Sequence, residues 1–180
     1  MWKAYYRREP ARLFGLLVLA LREQAHVRWP RALVAAIWLT RGAVRFARMT
    51  DDYDRVLPDI ARGYRLLKLD KNLDLEAVAA GELRWWTVRR ELGLSSGQAA
   101  GDAIARLYSA LYGLPLESVA EAGRLRGQAA EARDRGSAAD PDGPMAAGST
   151  YWPQVARLLR DSYRSLDYAL EIARATGAKG

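Results

Sequence analysis

Cysteine is absent from the chain, and histidine occurs once, as His26. The first absence excludes a disulfide framework, thiolate chemistry and cysteine-ligated zinc or iron–sulfur sites. The second excludes zinc sites built on several histidines and most triads that need a tuned imidazole. Lysine is scarce: it stands only at positions 3, 68, 71 and 179, so 24 of the 28 basic residues are arginine. Arginine with abundant alanine and little lysine is the profile of a GC-rich bacterial genome. That bias discounts the net charge of +7 as a nucleic-acid signal. A modest positive field remains, suited to acidic partners, phosphates or an anionic membrane surface. No apolar run approaches the ~20 residues needed to span a bilayer. No glycine-rich phosphate loop follows a strand, and no serine-centred nucleophile elbow is present.

The N-terminus imitates a signal peptide. MWKAYYRREPAR is basic and LFGLLVLAL is apolar, but Arg22-Glu23-Gln24 follows instead of a small-x-small cleavage pattern. The run reads as the first buried helix, with shallow peripheral membrane contact as the minor alternative. With no transmembrane span, the reading is cytoplasmic.

What is present is helical periodicity. The chain has 180 residues, 50 % hydrophobic and 27 % charged, enough for one well-cored domain. Pro10 opens a helix to about Val27, apolar all round from Leu13 to Leu21 and therefore expected to be central and covered on most sides. Pro30 opens a second to about Met49, antiparallel to the first across a short corner. Pro58 kinks or starts a third, with Ile60, Tyr64 and Leu67 at core spacing. Leu75 to Leu92 is a fourth. Ser95 or Ser96 caps a fifth to Tyr112, with Ala100, Ala103, Ile104, Leu107, Tyr108 and Leu111 as its stripe. Gly113 ends it. The sixth, roughly Pro115 to Arg135, is rich in small residues (Ala120, Ala122, Gly123, Gly127, Ala129, Ala130) that admit another backbone or serve a dimer. The last starts near Tyr151 or Pro153 and carries Val155, Leu158, Leu159, Ser162, Tyr163, Leu166 and Leu170 on one face. The expected fold is all-α: a single-domain bundle of about seven helices over 1–180, in antiparallel hairpins with no sheet. A flexible linker is expected at 136–149 and a frayed tail at 176–180.

The fourth helix is the central one. Asp74 is its N-cap, Glu76 favours the first turn and Gly93 stops it. Leu75, Val78, Ala79, Leu83, Trp85, Trp86 and Leu92 fall on one broad apolar face. Glu82 and Arg89 interrupt that face, flanked by Trp85 and Trp86. An unpaired buried charge costs several kcal/mol, so both must be partnered. They stand ~10.5 Å apart along the axis, too far for a direct bond. Each is therefore expected to find its partner on another helix, the carboxylate being answered by a cation. The plain reading is a salt-bridge network that fixes register. The sharper one is a polar ligand site at Glu82, Arg89, Trp85 and Trp86, with Glu23 and His26 as partners across the bundle.

Other motifs are weaker. Glu23 and His26 have the E-x-x-H spacing of helical metal sites, but no second histidine completes the set, and no metal or cofactor is expected. Asp51-Asp52-Tyr53-Asp54 fails the spacing of magnesium-binding aspartate clusters, since Arg55 follows. Arg41, Arg45 and Arg48 form a stripe at i, i+4, i+7, either solvated or contacting phosphate. Residues 103–126 have a helix-turn-helix outline around Gly113, although Glu117 and Glu121 would face phosphates badly and Arg124 and Arg126 come late.

The leading functional reading is a non-catalytic module that acts through a protein partner or as a homo-oligomer. The alternatives are a small enzyme or ligand-binding bundle centred on Glu82, and a nucleic-acid binder using Arg41, Arg45, Arg48, Arg124 and Arg126.

Overall fold

Helix starts follow the capping chemistry written in the sequence. The Asp74 carboxylate accepts the backbone N–H groups of Glu76 and Ala77, both at 3.0 Å. The helix it caps is Leu75–Leu92, the bounds the periodicity predicts. The computed structural model describes residues 1–23, 26–67, 73–140 and 150–177. Among them are eight α-helices and no strand: α1 Trp2–Tyr6, α2 Pro10–Glu23, α3 Trp29–Arg48, α4 Leu57–Arg65, α5 Leu75–Leu92, α6 Gly97–Tyr112, α7 Leu116–Ala139 and α8 Trp152–Ala175. The helix beyond the expected seven is α1, one short turn that buries Ala4. Single 3-10 turns precede α4 and α6. Residues 136–139, expected to begin a linker, continue α7; 141–149 lie outside the described residues. Thr176 closes α8, its N–H and hydroxyl both donating to the Ile172 carbonyl; residues 178–180 also lie outside the described residues.

Backbone contacts cluster into two compact units, Met1–Leu83 and Arg84–Gly180, so α5 contributes its first half to one and its second half to the other. In the first unit the core comprises Val18, Leu21, Val27, Ala32, Ala35 and Ala36, with Phe14, Leu17, Leu39, Leu66 and Leu67 packed against it. The Arg28-Trp29-Pro30 corner is held from inside by the Arg22 guanidinium, which donates to the Val27 carbonyl at 2.8 Å. α3 and α4 cross closely: a Cβ on Gly63 would stand 2.6 Å from Leu39.

The second unit is built on an antiparallel pair, α6 and α7. Gly113 joins them in the left-handed conformation (φ +63°), which glycine adopts without a Cβ penalty. Ser109 locks the turn: its hydroxyl donates to the Leu114 carbonyl, and its own carbonyl accepts the Leu114 N–H. Gly97 and Gly101 of α6 face Gly127 and Gly123 of α7 with backbone against backbone. A Cβ on Gly127 would lie 2.6 Å from the Gly101 nitrogen, and one on Gly123 would lie 2.5 Å from the Gly101 carbonyl oxygen. The small residues expected on α7 thus serve a contact inside the chain. α8 packs on α7, and the buried Ser162 hydroxyl donates to the Ala122 carbonyl at 2.7 Å.

Candidate functional site

Every charged residue singled out in the sequence has a definite place. In the first unit, Glu82 is half-buried and accepts the Tyr64 hydroxyl of α4 at 2.9 Å. The partner helix is as expected; the bond is from a phenol. Glu23 and His26 do not share a helix face, because α2 ends at Glu23 and His26 has φ +50° beyond it; both are exposed. Arg41 and Arg45 turn inward at their tips. They reach the Asp59 carboxylate at 3.4 and 2.9 Å, while Arg48 is exposed. Asp59 is 1 % exposed and lies in the first turn of α4, where the helix dipole also favours an anion. Trp38 sits between two guanidiniums, Arg41 at 5.3 Å and Arg62 at 4.6 Å from its ring centre. Asp59 carried a signal in retrospect: a lone carboxylate in Leu57-Pro58-Asp59-Ile60, downstream of an arginine stripe.

In the second unit, Arg89 does find its anion on another helix. Its guanidinium makes a two-pronged bond to Asp134 of α7, Nε to Oδ2 at 2.9 Å and Nη2 to Oδ1 at 2.5 Å, and Arg133 adds a third contact at 2.8 Å. Trp85 is buried and meets Trp86 edge-on. Arg126 lies among aromatic rings instead of facing solvent. It donates to the hydroxyls of Tyr108 and Tyr163 at 2.8 and 3.1 Å, and its guanidinium stands 5.8 Å from the Trp85 ring centre. Beside this cluster Tyr112 keeps 39 % of its surface open, yet its phenol is pushed up to about 12, by desolvation of its hydroxyl first and then by Tyr108 and Tyr163, against a smaller opposing pull from Arg126. Arg124 pairs with Glu121 in the open, and that contact lowers the glutamate's pKa and raises the arginine's. α6 and α7 meet antiparallel from Gly97–Gly127 to Gly101–Gly123, the contact of a hairpin.

The surface that periodicity missed lies on α2 and α3. Leu13 to Leu21, expected to be covered on most sides, is open along one side: Gly15 and Leu19 are exposed. α3 is inverted in size. It buries Ala32, Ala35 and Ala36 completely while Leu33, Val34 and Ile37 remain 42 to 53 % exposed. Trp29, one turn before Leu33, is 53 % exposed. An open groove of about 470 Å³ runs between Phe14, Gly15, Leu16 and Leu19 on one side and Trp29 and Leu33 on the other. Arg12 borders it, and the Arg22 guanidinium lies 5.0 Å from the Trp29 ring centre. An all-round apolar run carries no periodicity to say which side will be left open; the signal available was small residues recurring at 32, 35 and 36 beside large ones at 33, 34 and 37.

Among protein-family models, curated proteins and solved structures, none matches this chain.

Proposed function

We propose that the protein is a non-catalytic interaction module whose working surface is the apolar face of α2 and α3. The observation that carries this reading is the size inversion on α3. Burial is worth roughly 25 cal/mol per Å² of apolar surface, so a helix packed for its own stability turns its largest aliphatic residues inward. Here alanines fill the contact and Leu33, Val34 and Ile37 face out, and Leu33 lines the groove together with Leu19 and Trp29. Contiguous exposed apolar surface of this kind marks contact sites.

The polar groups support the same reading. Four of the five arginines nominated for nucleic acid are engaged within the chain: Arg41 and Arg45 with Asp59, Arg124 with Glu121, and Arg126 with two phenols. Arg89 is neutralised by Asp134. All but the Arg124–Glu121 pair, which lies within α7, join one helix to another and hold them in register.

Retention on a phenyl resin tests whether the face is open in solution. The native chain should be retained, and Leu33→Glu with Ile37→Glu should elute early with an unchanged melting temperature. Equal elution of the two would remove the face as a working surface.

A further inference from the structure

We infer that the partner of this face is the surface of a membrane rich in anionic lipid, on which α2 and α3 lie in the headgroup region without crossing. The inference rests on the reading of the α2–α3 face as the working surface. It names what that surface meets.

Charge complementarity selects the occupant. Residues 1–50 hold ten lysines and arginines against two glutamates, Glu9 and Glu23, a net +8; the remainder of the chain nets −1. The whole excess of positive charge therefore belongs to the segment that carries Leu19, Leu33, Val34 and Ile37, although two of its arginines, Arg41 and Arg45, are answered by Asp59 beyond it. Two others are at the groove itself: Arg12 on its border, paired in the open with Glu9, and Arg22 over Trp29, its Nη1 donating to the Val27 carbonyl. Arginine stems lie along apolar surface while their heads reach phosphate, and an indole is at home where one end is apolar and the other wet. Aliphatic residues, one exposed tryptophan and a predominantly basic segment form the pattern of an element that lies in an anionic bilayer interface.

Other occupants fit less well. A second copy would bring two segments of +8 together. A nucleic-acid backbone would meet the arginines but leave Leu19, Leu33, Val34 and Ile37 against phosphate. Among the described residues no helix is long and apolar enough to cross a membrane, so the contact is peripheral.

Both halves of the pattern are needed, because neither a small apolar face nor a basic patch alone anchors stably. The test is sedimentation of the full chain with vesicles of phosphatidylcholine, with and without about 30 % phosphatidylserine. Partition onto anionic vesicles should exceed that onto neutral ones by about tenfold or more. Leu33→Glu with Ile37→Glu should lower it by a similar factor. Arg12→Gln and raised salt should lower it less. Tyr168→Glu, which changes an exposed residue on α8, should not alter it.

Equal partition onto the two vesicle types, or partition unaffected by the α3 variants, overturns the inference. So does salt-sensitive retention on duplex DNA in place of vesicles. Phenyl-resin retention that depends on Ile37, without vesicle binding, overturns the membrane alone and leaves the face standing. Loss of both removes the face as well.

Discussion

In Met1–Leu83, α3 and α4 close around a charge; in Arg84–Gly180, α6 and α7 close where there are almost no side chains. Asp59 is sealed beneath Arg41 and Arg45, whose own stems remain partly in solvent. The contact tolerates shape change, since long arginine side chains can adjust, but not loss of charge. The glycine contact is the reverse. Nothing at Gly101, Gly123 and Gly127 can titrate, and little can move aside, because the nearest atoms are backbone or the Ala105 methyl. The same residue type has opposite meaning on different helices. Gly15 on α2 has open space where a Cβ would stand, whereas Gly127 has a helix there. A glycine read from sequence is ambiguous between these cases, and the partner element decides.

That contrast can be broken most severely at Gly127. Gly127→Val should cost about 4 kcal/mol or more, measured by urea unfolding, because two backbones must separate. Removing both arginines above Asp59, as Arg41→Gln with Arg45→Gln, should cost about 3 kcal/mol by leaving a buried carboxylate unanswered. Hydrogen exchange should show the loss in the first unit. Arg126→Met should cost about 1–2 kcal/mol through the Tyr108 and Tyr163 hydroxyls it leaves. It should also push the Tyr112 phenol higher still in an ultraviolet titration, since Arg126 acts to lower it. With Tyr112 raised to about 12, its contribution to stability is fully present below pH ~10 and is lost as pH climbs through 12. Tyr112→Phe should therefore melt with a shallower alkaline decline. Gly15→Ala should be stabilising by about 0.5–1 kcal/mol, the opposite sign to any substitution at Gly127. The smallest effect is at Arg124→Ala, a few tenths of a kcal/mol for an exposed pair. Because Glu121 is lowered, that contribution is present above the ordinary glutamate pKa and disappears as pH falls.

How much of this was legible follows from the same physics. α5 was readable to its last residue, because a capping aspartate, a full turn count and a stopping glycine agree. Its interior was readable too: Glu82 and Arg89 interrupt an apolar face, and each meets a group on another helix. The identity of the partners was not, since the phenol of Tyr64 and the carboxylate of Asp134 come from 18 and 45 residues away. Val88, on no list of core positions, is buried, and Leu92, expected in the core, is 49 % exposed where the chain turns off at Gly93. The open side of α2 and α3 was illegible for a different reason. Periodicity reports a contrast between faces, and a segment apolar on every side has none to report.

The Gly113 turn has a kinetic consequence. Every glycine pairing between α6 and α7 joins residues no more than 30 apart in the chain. Loop-closure entropy is small at that separation, and local topology is what speeds folding. In refolding, amides of this hairpin should be the earliest to resist deuterium. The hairpin whose backbones meet at glycine would then be the one on which the Arg84–Gly180 unit condenses.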